Sequence, residues 1–328
     1  MTLPLDRRLS IGVATIHRRT EPATAPWEPS IDELRSFVEL VDRSGYDSIW
    51  TGDHISFAIP VLDPLLQIAQ AAMVSRRLLF GVGVYLLPLR HPAPVAKQVA
   101  TLDHLTEGRL IFGVGVGGEF PQEYAVCGVP RGERGARLGE GVALLRKFWS
   151  GQAVSHDGRF YGGFADVALR PPPRRPGGPP VWFGGRSDVA LRRCGRMGDG
   201  YYSYVITPET YRAALATIET AADAAGRRLA AFGTGHLLFT RLDSSYEAAL
   251  EAATAALSVR YAMDFRRAAE RYCALGSPAQ VADRIREFYA AGVRHVVLDL
   301  VGPYEERDRQ IAWFAAEAMP LVRDLIKP

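Results

Sequence analysis

Lysine is nearly missing from this chain: three of its 39 basic residues are lysines (Lys97, Lys147 and Lys327) and the rest are arginines, a skew that carries no mechanism by itself. Against 36 acidic residues the formal charge is only +3. That balance excludes a nucleic acid or a membrane surface as a partner recruited by long-range electrostatics, and leaves room for a small anionic ligand. Cysteine is scarce too. Cys127, Cys194 and Cys273 stand far apart with no C-x-x-C spacing, which speaks against a zinc site or a disulfide framework and reads as reduced thiols in a cytoplasmic protein. No segment approaches the ~18 uninterrupted apolar residues that cross a bilayer. The first ten residues, with Asp6, Arg7 and Arg8, are not followed by an apolar run of the kind a leader needs. Also absent are a G-x-S-x-G nucleophile elbow, a P-loop and any histidine pair at metal-ligand spacing, so no metal is expected.

What is present is punctuation: 32 glycines and 22 prolines divide 328 residues into many short elements. Short β-branched or aromatic runs alternate with longer amphipathic stretches, the pattern of βαβ units and a parallel sheet. Eight strands are expected: Leu9 to Ile16, Asp47 to Thr51, Leu79 to Val84, Arg109 to Val114, Val181 to Gly184, Gly200 to Ser203, Phe232 to Thr240 and His295 to Leu300. Eight helices are expected with them: Ile31 to Ser44, Pro64 to Ser75, Pro94 to Leu105, Arg134 to Trp149, Asp188 to Met197, Pro208 to Ala225, Pro278 to Ala291 and Arg307 to Ile326. Ser30, Thr207-Pro208 and Ser277-Pro278 are good helix starts, and Gly45, Gly226 and Gly292 good stops. Eight and eight predict one α/β domain over residues 1–328, a (β/α)8 TIM barrel. Two stretches break the alternation and are read as insertions after strands four and seven. Residues 151–180 hold a short hairpin (Ala153 to Ser155, Arg159 to Tyr161) and a proline-rich linker, and residues 244–275 are helical. Both are expected where a barrel builds and lids its active site.

In such a barrel the chemistry sits at the C-terminal strand ends. The second strand ends in Thr51-Gly52-Asp53-His54. A histidine beside a carboxylate there can exchange a proton near neutral pH, or hold a neutral tautomer that hydrogen-bonds a heteroaromatic cofactor; equally, Asp53 can cap the next turn with His54 packed beneath it. Gly81 and Gly83 in the third strand mark a bulge or a flat ligand, or else close packing, with Tyr85 following. Gly113, Gly115 and Gly118 match G-x-G-x-x-G, but no helix opens at the last glycine, so a Rossmann dinucleotide site gives way to a glycine-lined cofactor wall (Gly115, Gly117, Gly118) with Glu119 in the pocket. Gly184-Gly185-Arg186-Ser187 precedes a helix at once, and is either an anion site at its N-terminus or a tight turn. Tyr85, Tyr202, His236 and Tyr304 near strand ends shape a substrate pocket or fill core, and Cys127 reads as structural.

Taken in order, residues 45–54, Leu87-Pro88-Leu89-Arg90-His91-Pro92, Ala100-Thr101-Leu102-Asp103, Gly108-Arg109, Gly113-Val114-Gly115, Val129-Pro130, Arg131-Gly132-Glu133-Arg134, residues 180–185 and Gly198-Asp199-Gly200 resemble the luciferase-like monooxygenase superfamily. Its members include flavin-dependent monooxygenases and reductases or dehydrogenases that use coenzyme F420. The resemblance implies a bulge with a non-proline cis peptide near Gly83-Val84, against which an isoalloxazine or deazaflavin ring lies. It implies His54 near the ring nitrogen that changes protonation on hydride transfer, with Asp53 orienting it, Glu119 as an active-site carboxylate, and Gly184-Gly185 with Ser187 as the phosphate turn. It also implies a homodimer. The tryptophan that the group's sugar-phosphate dehydrogenases carry after the Asp-His pair is replaced by Ile55-Ser56-Phe57-Ala58, so a sugar phosphate is not implied. The expected activity is hydride transfer between F420 and a small organic substrate. The alternatives are a two-component monooxygenase that uses reduced FMN, oxygen and a flavin reductase partner, and a non-catalytic flavin-binding barrel.

Overall fold

The computed structural model describes residues 3, 5–14, 30–57, 60–118 and 120–326. Runs rich in valine, isoleucine, aromatics and glycine become parallel strands because both of their faces are covered, by helices outside and packed rings inside. Eight of them close a TIM barrel: β1 (Ser10–Ala14), β2 (Ser48–Thr51), β3 (Leu79–Tyr85), β4 (Leu110–Val114), β5 (Val181–Gly184), β6 (Gly200–Tyr204), β7 (Gly233–Leu242) and β8 (His295–Leu300). Each pairs with the next, and β8 returns to β1 with Ser10 opposite His295. The expected strand ends hold to within a residue or two, apart from Thr15 and Ile16, which lie outside the described residues.

The helices are α1 (Ile31–Arg43), α2 (Pro64–Ala72), α3 (Pro92–Leu105), α4 (Pro121–Val126), α5 (Arg134–Trp149), α6 (Asp188–Met197), α7 (Pro208–Ala224), α8 (Tyr246–Tyr261), α9 (Arg266–Tyr272), α10 (Pro278–Ala290) and α11 (Arg307–Trp313). In α1 the buried side chains Leu34, Phe37, Val38 and Val41 recur at helical spacing and face the sheet. Ser30 caps it by accepting from the Glu33 amide at 3.4 Å, and Ser277 with Gln280 forms a complete capping box on α10. The expected helix from Arg307 to Ile326 breaks up. After α11 comes a π segment (Phe314–Ala318), then a 3-10 turn (Met319–Val322) that contains Pro320. Proline lacks the amide an α-helix needs and crowds the carbonyl four residues back, so the α ladder yields there.

The two insertions follow the fourth and seventh barrel strands in chain order but lie at opposite ends. The first leaves the C-terminus of α5 and so sits at the N-terminal end of the strands. There the Arg175 amide donates to Asp103 Oδ2 at 2.8 Å and its guanidinium to the carbonyl of Gly108, just ahead of β4. Its hairpin pairs Val154–His156 with Phe164–Val167 rather than with residues 159–161. Glu140 accepts the amides of Phe160 and Tyr161 and keeps that stretch a loop. This insertion therefore lines no part of the cavity at the other end, against expectation. The second insertion, α8 and α9, follows β7 directly and stands at the mouth.

Inside the barrel Trp50 stacks on Tyr202 at 4.7 Å between centroids, with Trp182 at 5.5 Å. Glycines make room for these rings: a Cβ on Gly81 would fall 2.2 Å from Trp50 and one on Gly233 2.0 Å from Trp182. Trp50 Nε1 donates to Ser48 Oγ at 2.9 Å, and that hydroxyl meets His295 Nε2 at 2.7 Å. Burial pushes His295 down to about 3, so it is neutral. The rings close the lower barrel and leave one end open.

Candidate active site

That open end is a cavity of about 500 Å³, of ordinary size for a bound organic molecule. β2 delivers Asp53 and His54 to its wall, and the structure gives them separate partners. Asp53, 3% exposed, accepts from Arg90 at 2.5 and 2.8 Å and from the Leu86 amide at 2.8 Å. Burial pushes its carboxyl up, against the pull of Arg90 and of that amide. Arg90, although desolvated, is held above its ordinary value by Asp53. The two-pronged contact keeps the pair ionised, so Asp53 ties the exit of β3 to the end of β2 rather than orienting His54.

His54 is oriented by Glu123, which the sequence reading passed over. No helix is expected between Leu105 and Arg134, yet Pro121 opens the short helix α4, as proline in a first helical turn does. Glu123, 1% exposed, accepts from the amides of Ile55 at 2.7 Å and Ser56 at 3.3 Å and lies 3.2 Å from His54 Nδ1 through both oxygens. A carboxylate already taking two N–H donors presents an acceptor to the ring. Nδ1 is therefore the protonated nitrogen and Nε2 the basic one. The His54 ring stacks on Phe57 at 4.0 Å and meets Phe120 edge-on at 5.9 Å.

Across the cavity β3 breaks register with β4 between Val82 and Tyr85, and the Gly83-Val84 peptide is cis, as the resemblance implied. The glycines around it are explained by the bulge. A Cβ on Gly113 would meet the Val82 carbonyl at 2.0 Å, one on Gly115 the Val84 side chain at 2.4 Å, and one on Gly184 the same side chain at 2.9 Å. The G-x-G pair thus seats Val84. Gly117 and Gly118 then carry positive φ of +57° and +109°, conformations that suit glycine, and continue along the cavity wall. No helix opens at Gly118 and the sheet is closed, which disposes of the dinucleotide fold. Glu119 lies outside the described residues.

At the rim Gly184-Gly185 turns β5 into α6, with Gly185 at φ +132° and Ser187 capping the helix by accepting the Ala190 amide at 3.3 Å. Arg186 donates to the Val205 carbonyl at 3.2 Å and stands over the Tyr204 ring at 5.0 Å. The far wall, from β6, β7, β8 and α8, presents Tyr204, Leu237, Phe239, Asp299 and Tyr261. Behind it Arg260 and Asp299, each 1% exposed, are joined at 2.7 and 3.3 Å.

Of the tyrosines and histidine read near strand ends, Tyr202 lines the cavity. Tyr85 lies beneath it, packed on Phe112 with Arg90 above. His236 lies outside the barrel wall, stacked on Phe288 of α10 at 4.1 Å, bonded to Ser203 Oγ at 2.8 Å and pushed by burial down to about 3. Tyr304 accepts from Arg307 away from the cavity. Burial pushes the Cys127 thiol up, which suits an inert side chain. Among the described residues no group of His, Cys, Asp or Glu could hold a metal, and no helix is long and apolar enough to cross a membrane.

The profile of the family described as luciferase-like monooxygenase matches residues 10–295. The chain is 26% identical over 324 residues to an F420-dependent glucose-6-phosphate dehydrogenase of Nakamurella multipartita, covering 90% of this chain and 93% of that one. It is 31% identical over 157 residues to the oxygenase component of a flavin-dependent trigonelline monooxygenase of Acinetobacter baylyi, covering 47% and 43%. Its structure overlays on a monooxygenase of Streptomyces bottropensis with a TM-score of 0.80 at 25% identity, over 95% of this chain and 99% of the other.

Proposed function

The chain belongs to the luciferase-like monooxygenase family, and on that premise we propose that it is an oxidoreductase that moves a hydride between coenzyme F420 and a small organic substrate. The observation that carries the reading is the His54–Glu123 couple, which puts a ring of defined tautomer on the wall of a cavity bounded by the Val84 bulge. Full-length similarity to an F420-dependent dehydrogenase supports the deazaflavin, whereas the match to the trigonelline monooxygenase covers about half of the chain.

The residues present fit such a group. A flat ring system suits the apolar platform of Val84, backed by Gly115 and Gly184. A phosphate suits the amides of Gly185, Arg186 and Ser187 at the N-terminus of α6, with the Arg186 guanidinium beside them. When bound, the deazaflavin supplies the carbon that accepts or gives the hydride. The protein's own part is to place that ring and to move the accompanying proton. Glu123 fixes His54 with Nδ1 protonated, so Nε2 takes or returns a proton at the ring. The Asp53–Arg90 pair holds the β2 and β3 exits at a fixed separation. Glu119 is assigned the acid or base that serves the substrate, and the chain is assigned a homodimeric state.

His54→Ala tests the catalytic claim. Hydride transfer to or from F420 is expected to fall by roughly 10²-fold or more with the fold intact, the usual weight of a positioned acid or base. Unchanged turnover in His54→Ala refutes the role given to His54, and F420 binding without any turnover by the parent protein leaves only a cofactor-binding barrel. Hydroxylation driven by reduced FMN and oxygen, with a flavin reductase as partner, replaces the deazaflavin reading outright.

A further inference from the structure

The reading above uses one cation at the rim, Arg186, and leaves a larger group of them without a task. Between the cavity wall at Gly118 and the neighbouring helix α6, the head of α5 gathers three guanidiniums. Arg131 donates to the Gly118 carbonyl at 2.6 Å and Arg134 to the Arg131 carbonyl at 2.8 Å. A Cβ on Gly118 would lie 3.5 Å from Arg134 Nε and 3.6 Å from Arg131 Nε, so both side chains flank a residue that lines the cavity. Arg193 reaches over from α6: a Cβ on Gly135, the residue after Arg134, would fall 2.7 Å from its Nη2.

None of the three has a carboxylate partner among the described residues. The acids nearby are engaged elsewhere: Glu133 holds Arg137 at 2.8 Å, Asp188 holds Arg192 at 2.7 Å, and Glu123 is buried against His54. Arg193 is half-buried and meets no acceptor among the described residues. Burial pulls its guanidinium below the ordinary value, and Arg196 adds to that pull with no anion opposing it. The first turn of α5 holds no acidic residue and no side-chain cap, so the positive end of the helix adds to the same field. Glu119 lies outside the described residues, and one full carboxylate there still leaves two of the three guanidiniums unmatched. Residues 15–29, also outside them, bring two arginines and two glutamates and so no net charge. Like charges held this close repel, and a half-buried guanidinium without an acceptor is costly. An anion with several charges relieves both, and the planar forks of arginine match carboxylates.

We propose that Arg131, Arg134 and Arg193 form a second anion subsite, beside the phosphate turn of α6, which holds the carboxylates of an acidic chain that the cofactor carries beyond its phosphate. F420 has such a chain, glutamates joined to the phosphate through a lactyl group, whereas FMN ends at its phosphate. The inference deepens the reading of the site given above and rests on it for the phosphate at α6.

Fluorescence titrations of F420 and of its glutamate-free form, at low and at high salt, test it on the parent protein and on Arg193→Gln. Arg193 holds no other group in place, so this variant is expected to keep the parent's unfolding midpoint, and Arg134→Gln serves as the second variant. The parent is expected to bind the chain-bearing form roughly ten-fold more tightly than the glutamate-free form, with the advantage shrinking as salt rises. Arg193→Gln is expected to remove most of that advantage and to leave the affinity for the glutamate-free form unchanged. Citrate, a free polycarboxylate, is expected to weaken binding of the chain-bearing form alone. Equal binding of the two forms by the parent overturns the inference while the cofactor reading stands, and citrate binding that Arg193→Gln abolishes would then mark a site for a free anion. An Arg193→Gln effect equal on both forms marks a structural role and also overturns it. Failure of both forms to bind overturns the cofactor reading and the inference with it.

Discussion

Replacing Glu123 exposes the main organising contact of the site. Its buried carboxylate takes two backbone amides, at 2.7 and 3.3 Å, and His54 Nδ1 at 3.2 Å. Glutamine keeps one oxygen and turns an NH2 toward donors that need an acceptor. Charge-assisted bonds contribute about 1.5–3 kcal/mol and neutral ones about 0.5–1.5 kcal/mol, so Glu123→Gln should cost about 1–2 kcal/mol of stability. Glu123→Ala leaves both amides and the imidazole N–H without an acceptor in a buried place and should cost about 3 kcal/mol or more at about 1–3 kcal/mol for each stranded group. Urea unfolding reads this as a lower midpoint with an unchanged slope. The same glutamine releases His54 from its single tautomer, so F420 should bind about ten-fold more weakly, equivalent to about 1.4 kcal/mol. A Glu123→Gln protein with the parent's midpoint and the parent's F420 affinity would refute the claim that this carboxylate orients His54.

Other consequences follow from the packing and the buried charges. His236 and His295 are both pushed down to about 3, while their unfolded values lie near 6.5. The unfolded chain therefore binds more protons between those limits, and stability present above pH 6.5 is lost as pH falls, by about 1.4 kcal/mol per pH unit for each histidine. Unfolding free energies at pH 6.5 and 5.5 check the slope, which His236→Asn should roughly halve; a flat profile contradicts neutral burial. Arg260→Ala strands Asp299 and should cost about 3–5 kcal/mol, and the double variant Arg260→Met with Asp299→Leu should cost less than Arg260→Met or Asp299→Leu alone; thermal unfolding of these four variants decides it. Gly115→Ala drives a Cβ to 2.4 Å from Val84 and should cost about 1–3 kcal/mol with loss of F420 affinity. Gly139→Ala, in the middle of α5 with nothing within 4 Å, should instead stabilise by up to about 1 kcal/mol. The two midpoints must move in opposite directions.

The barrel was legible because its signals are periodic and local. Val181–Gly184, Ile31–Arg43 and His295–Leu300 fall where alternation, an N-cap serine and a β-branched run place them. The glycines were legible as a constraint but not in their cause. Spacing alone cannot tell a glycine that faces a ligand from one that clears a neighbouring strand, and Gly113 and Gly115 prove to make room for Val82 and Val84. Contacts between distant residues were the least legible. Asp53 and His54 are adjacent in sequence, yet one turns to Arg90 and the other to Glu123. The sequence carried one hint of the second partnership, a proline opening a turn that holds a glutamate and a tyrosine, and a six-residue helix is too short to announce itself by periodicity. The first insertion was misassigned to the mouth because its place depends on which end of α5 it leaves, a matter of direction that composition does not record.

The most direct test is a paired titration of F420 and reduced FMN, followed spectroscopically, against the parent protein and His54→Ala. The account predicts saturable binding of F420 with a perturbed deazaflavin spectrum, preference for F420 over FMN, and loss of the spectral perturbation in His54→Ala while its unfolding midpoint stays near the parent's. Preferential binding of reduced FMN with F420 excluded, or an F420 spectrum indifferent to His54, would contradict it.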